Sequence, residues 1–204
     1  MRKWFPIKTA CLCTLAWFFM PMPSPALAKD TFLAGRMLVA SEKLRDAYFR
    51  HAVVYMIQHD AEGALGLIVN RKIGVGSLAE MLADLGRKIK KDRKVNLYFG
   101  GPVSIRKVFV LHSGKFQGKE TLAVPDGLSM TGDTSIIDAI ADGHEPKLMR
   151  FMMGYAGWGA GQLENEIERG DWLNAKPDNA LIFGAADDTE DVWRRALEKA
   201  GLTL

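Results

Sequence analysis

Between Gly154 and Leu173 the chain reads GYAGWGAGQLENEIERGDWL, a segment that a generic fold does not need. Four glycines, at 154, 157, 159 and 161, surround Tyr155 and Trp158. Glycine at this density marks backbone with positive φ, or backbone packed directly on backbone. Large aromatic rings among those glycines need a defined surface to lie on. A short acidic run of helical character follows, and then Trp172. The segment has a structural reading, in which Tyr155 and Trp158 plug the core and the glycines turn the chain. It also has a functional one, in which the rings line a groove with polar contacts from Gln162 and Glu164. Asn70, Arg71 and His112, each near a predicted strand end, would close such a groove.

The first 28 residues read as a secretory signal peptide. Arg2, Lys3 and Lys8 precede an apolar run from Thr9 to Met20, and Ala26-Leu27-Ala28 forms a cleavage pattern. That run is shorter than the roughly 20 residues a membrane span needs. The expected location is therefore periplasmic or secreted. Three of the 27 basic side chains lie in this segment and none of the 24 acidic ones, so residues 29–204 carry 24 of each and no net charge. Net charge thus gives no support for nucleic-acid binding. Both cysteines, Cys11 and Cys13, lie in the same segment. Residues 29–204 therefore offer no disulfide, thiol nucleophile or thiolate metal site.

Those residues are enough for one domain, and no linker divides them. Val53–Gln58 and Leu65–Asn70 are rich in β-branched residues and flank a polar turn, which predicts an antiparallel hairpin. Further strands are expected at Leu33–Ala40, Asn96–Phe99, Lys107–His112, Leu148–Tyr155 and Leu181–Phe183. Helices are expected at Ser77–Leu85, Ser135–Ala141, Gln162–Arg169 and Thr189–Ala200. Strands dominate the first half and mix irregularly with helices in the second. That order favours an α+β fold over a doubly wound sheet.

Several of these stretches, in order, resemble the YqgE/AlgH family. They are Leu33–Ala40 with Phe49, Val53-Val54-Tyr55 and His59; Gly63–Arg71 (GALGLIVNR); and Gly100-Gly101-Pro102-Val103 with Phe109–His112. The strongest is GYAGWGAGQLENEI with Trp172-Leu173 and Ile182-Phe183. The likeness runs from Phe32 to Leu202. It implies a single compact domain over residues 29–204, whose bent, mainly antiparallel sheets form a partial barrel flanked by helices. It implies no agreed reaction and no cofactor, and it suggests a regulatory role, transcriptional control and exopolysaccharide production included. It also implies a cytoplasmic location, against the signal peptide. The chain departs from the family pattern at Ser41–Tyr48, where Met-Pro and Asp-Pro are usual, and at Met56, where relatives often carry cysteine.

Familiar catalytic patterns fit poorly. Gly74-Val75-Gly76-Ser77-Leu78-Ala79 matches a dinucleotide fingerprint, but the following strand supplies no acidic residue, so a loop capped by Ser77 is expected. No G-x-S-x-G is present. His51, His59, His112 and His144 form no metal-ligand spacing, and no metal is expected. Backbone bonding near strand ends is the expected role of His59 and His112. Arg87, Lys88, Lys90, Lys91, Arg93 and Lys94 form a basic run without interleaved aromatics. It reads either as a solvated helix end or as a grip for an anionic envelope surface.

Three functions follow as expectations. The first is a non-enzymatic regulatory or interaction module binding a small molecule or a protein through His59, Asn70, Arg71, His112, Tyr155, Trp158, Gln162 and Glu164. The alternative is a hydrolytic enzyme using His59 or His112 with Glu164 or Asp60, which requires those groups to converge. The third is an envelope scaffold docked by the basic run.

Overall fold

The structure is a computed structural model that describes residues 32–83, 86–89, 92–114, 116–184 and 188–201. Residues 1–28, read above as a signal peptide, lie outside these, as do Lys90 and Lys91. The elements run β1 (Met37–Ala40), β2 (Val53–Asp60), β3 (Gly63–Ile68), β4 (Lys72–Ser77), α1 (Leu78–Ala83), β5 (Lys94–Phe99), β6 (Val103–Ser113), β7 (Thr121–Ala123) and β8 (Leu128–Thr131). Then follow α2 (Ser135–Ala141), β9 (Met149–Gly159), α3 (Gln162–Glu168), β10 (Trp172–Ala175), α4 (Asn179–Phe183) and α5 (Thr189–Lys199).

The strands form one curled sheet, a half-barrel of α+β class, in the order β10-β1-β2-β3-β9-β6-β8-β7. β4 pairs with β5, and β5 lies parallel to the first half of β9. The remaining pairs are antiparallel. β9 organises the fold. Its second half pairs with β3, and its first half pairs with β5 and β6. The bend between the halves falls at Gly154, at φ +69°.

Both faces of the sheet are buried, so β1 and β2 show no polar alternation. Met37, Val39, Val53 and Tyr55 point inward with Leu67 and Met152, against Leu181 and Ile182 of α4 and Trp193 and Leu197 of α5. Leu38, Val54, Met56 and Ile68 point outward with Trp158, Leu163 and Trp172. A third cluster, built by α1 and α2, covers the outer face of β5, β6 and β9.

The hairpin of β2 and β3 forms as expected, with a bulge at Ile57. Three expectations need correction. Leu181–Phe183 is helical, capped by the Asp178 carboxylate, which accepts from the Ala180 N–H at 2.7 Å. Gly74–Ser77 belongs to strand β4 and is not a loop. Trp172–Ala175, where no element is expected from the sequence, is a strand paired with β1. The glycines at 157 and 159 do not turn the chain, because β9 runs through them, and Gly154 bends the strand without ending it. Of the three, Gly154 admits close backbone approach. A Cβ on Gly100 would lie 2.2 Å from the Gly154 carbonyl oxygen, and one on Gly154 2.4 Å from that of Gly101.

Candidate functional site

The polar residues expected around a groove make internal bonds. The Asn70 side chain is fully buried and accepts from the Val53 N–H at 2.9 Å. Its amide donates to the carbonyls of His51 and Thr189. Arg71 donates to the carbonyls of Tyr48 and Arg50, pinning the loop before β2. Trp158 lies in the outer core beside Phe49 and Trp172. Tyr155 is half-buried, with its ring edge-on to Phe109.

Sequence reasoning missed Glu166. One of its carboxylate oxygens accepts both indole N–H groups, from Trp158 at 2.9 Å and Trp172 at 2.8 Å. The other accepts from Gln162, whose own carbonyl accepts from the Gly159 N–H. A tryptophan N–H buried beside apolar rings needs an acceptor, and the acidic helix after GYAGWGAG was the signal for one.

His59 and Glu164 meet. Nε2 of His59 lies 3.0 Å from the Glu164 carboxylate, while Nδ1 accepts the Leu33 N–H at 3.1 Å. Nδ1 is therefore the bare nitrogen and Nε2 carries the proton. That leaves the imidazole no lone pair for a substrate proton, and it ties the segment entering β1 to α3. Asp60 turns elsewhere, accepting from Gln58 and the Glu62 N–H.

His112 does not join them. Its row of the sheet crosses β9 at Met149, whereas the row of His59 and Ala64 crosses at Trp158. Those positions stand roughly 30 Å apart along the strand. His112 is fully buried, with Nε2 2.8 Å from the Thr131 hydroxyl and Nδ1 facing the Ser113 carbonyl. The Gly118 N–H donates to Thr121, which lies 2.7 Å from Thr131. The bonds run one way, from Gly118 through Thr121 and Thr131 into a neutral imidazole protonated at Nδ1. Burial holds the His112 pKa below its ordinary value of 6.5, against the bond to Ser113.

Because the folded pKa lies below the unfolded one, this contribution to stability is whole above pH 6.5. It is lost as pH falls from there through the folded pKa. The slope cannot exceed about 1.4 kcal/mol per pH unit. His112→Gln, which keeps a donor and an acceptor, is expected to flatten the decline. Urea midpoints at descending pH check this; an equal decline in both proteins would contradict it.

A cavity lies elsewhere among the described residues, on the outer face of the sheet. β6 pairs with β9 at Val103–Tyr155 and again at Val108–Met153, so between these pairs β6 advances five residues and β9 only two. The surplus lifts the exposed arm Val103–Lys107 off the sheet, with Ser104 at φ +51°. Gly154 lies beneath this arm, and a Cβ there would stand 2.7 Å from the Val103 carbonyl oxygen. The signature segment thus supports the arm from below.

Opposite stand α1 and α2. α1 presents Leu78, Met81 and Leu82 at helical spacing and is pinned at its start by Asp92, which accepts from Ala79 and Ser77. α2 presents Ile136 and Ile137. The cleft between arm and helices measures about 890 Å³, with Val108, Val110 and Phe151 as its floor. Thr131, the partner of His112, reaches its wall. None of the eight residues expected at a groove lines it. Its walls come from three segments remote in sequence, so no local motif announces it.

The basic run is partly neutralised, since Arg87 pairs with Asp138 and Arg93 with Glu145. Lys88 and Lys94 are exposed. Among the described residues, no group of three or more His, Asp or Glu side chains is placed to hold a metal ion.

The curled half-barrel with helices on its outer face defines a class, and the comparisons define the family. Residues 37–204 match the family model described as AlgH-like, and the chain belongs to that family. It is similar to a UPF0301 protein of Methylococcus capsulatus, 46% identical over 171 residues that span 84% of this chain and 93% of the relative. The solution structure of AlgH from Pseudomonas aeruginosa superposes with a TM-score of 0.67 at 33% identity, covering 90% of this chain and 94% of that one. The protein DIP2367 from Corynebacterium diphtheriae shares the fold, with a TM-score of 0.64 at 22% identity over 85% of this chain and 90% of its own. The family has no established activity.

Proposed function

We propose that this protein is a non-enzymatic binding module, regulatory through what it binds, and that a small apolar ligand seats in the cleft between the β6 arm and the helices α1 and α2. The cleft itself carries the reading. It holds about 890 Å³, within the range of small-molecule sites, and its lining is largely aliphatic. The rest of the molecule supports it. Asn70, Arg71, His59 and His112, the polar groups best suited to chemistry, are engaged in bonds within the fold.

Met81 is half-buried on the cleft wall and is the place to block it. The neutral dye N-phenyl-1-naphthylamine is expected to brighten on adding wild-type protein. Met81→Trp, filling the cavity from a partly exposed position, is expected to cut that gain at least fivefold while keeping the native circular dichroism. No gain with wild type, or an equal gain with the variant, would sink the proposal.

A further inference from the structure

The charges at the cleft mouth narrow the ligand. Three charged side chains line it: Arg106, Lys107 and Asp133. Lys107 is occupied, with its ammonium 2.6 Å from Glu120 and 5.2 Å from the centre of the Phe109 ring. Asp133 is occupied too, accepting from the Glu120 N–H at 2.7 Å and the Ser135 N–H at 2.8 Å, and from the Ser135 hydroxyl. Arg106 is exposed and has no hydrogen-bond or ion-pair partner among the described residues. It sits on the lifted arm, two residues beyond Ser104, and lines the same cleft as the apolar walls. The mouth thus offers one uncommitted guanidinium, a fork of donors shaped for a carboxylate.

The walls set the rest of the molecule. Phe151 is the one aromatic ring in the lining, and the other apolar contacts are aliphatic or the thioether of Met81. Such walls hold apolar groups through contact area more than through ring stacking. A chain with free torsions follows them, and methionine adapts to it.

We infer that the cleft takes an unbranched aliphatic carboxylic acid, its chain along Leu82, Ile137 and Phe151 and its carboxylate on Arg106. This rests on the cleft reading above and adds the head group and the chain. Each methylene buried contributes about 0.8 kcal/mol, which is about fourfold in affinity. A rim ion pair contributes at most about 1 kcal/mol, roughly fivefold, because water screens it.

Titration calorimetry of the full chain with octanoate, decanoate and decan-1-ol, all below aggregation, tests both parts. Decanoate is expected to bind about fifteenfold tighter than octanoate, from two further methylenes. Arg106→Ala is expected to weaken decanoate about fivefold and leave decanol unchanged, and Arg106→Lys to recover part of the loss. Raised salt should weaken the acid and spare the alcohol. If Arg106→Ala leaves decanoate unchanged, or decanol matches decanoate, the carboxylate assignment falls and the apolar cleft stands on the alcohol's binding. If none of the three binds, the acid proposal falls, and the cleft reading is then judged by the dye and Met81→Trp.

Discussion

Gly101→Ala is expected to yield no folded protein. Gly101 sits at φ +153°, and a Cβ there would lie 2.2 Å from the Tyr155 carbonyl carbon and 2.3 Å from the Ala156 nitrogen. Those atoms are backbone in the middle of β9 and cannot swing aside. The loss is expected to exceed about 4 kcal/mol, since backbone strain and a core clash act together. Gly159 supplies the contrast from the same glycine-rich stretch. A Cβ there meets nothing within 4 Å, and its φ is not positive. Gly159→Ala is expected to stay within about 0.5 kcal/mol of wild type. Thermal unfolding followed by circular dichroism checks the pair, and a stable Gly101→Ala protein would contradict the packing of the Gly100-Gly101 turn on β9.

Arg150→Met is expected to cost about 3–5 kcal/mol and to lower Tm by about 10 °C or more. Arg150 opens β9 and is only 3% exposed. Its guanidinium lies 3.9 Å from the centre of the Tyr98 ring and donates to the carbonyls of Val69 and Gly184. Those carbonyls close the ends of β3 and α4, so one side chain ties sheet to helix. Burial pushes its pKa down to about 10, with Tyr98 acting the other way, and the group stays charged at neutral pH. Methionine keeps much of the volume and leaves two interior carbonyls without a donor. Arg150→Lys is expected to fall between, because one ammonium replaces a planar fork. A methionine variant as stable as wild type would show that the bonds contribute little.

The sequence disclosed most where local chemistry repeats itself. The β2–β3 hairpin followed from β-branched runs around a polar turn, and α5 from its acidic start and apolar face. At α4, three apolar residues fit a buried strand as well as a helix turn; Asp178, placed to cap, is the distinguishing sign. Gly74 and Gly76 hid β4, since glycine argues against a strand. Trp158 was prominent as an aromatic among glycines, but its place in the core depends on Glu166, eight residues on. The cleft was not legible at all. It arises from a register surplus between β6 and β9, and register depends on pairing that no single segment encodes.

The central claim is that binding takes place on the outer face, under the β6 arm. Methyl-resolved NMR of the full chain during titration with N-phenyl-1-naphthylamine tests it most directly. The account predicts shifts of the Met81, Leu82, Ile136 and Ile137 methyls, with those of Met37, Leu38 and Ile68 unmoved. Shifts centred on the surroundings of Tyr155 and Trp158, with the α1 and α2 methyls silent, would contradict it.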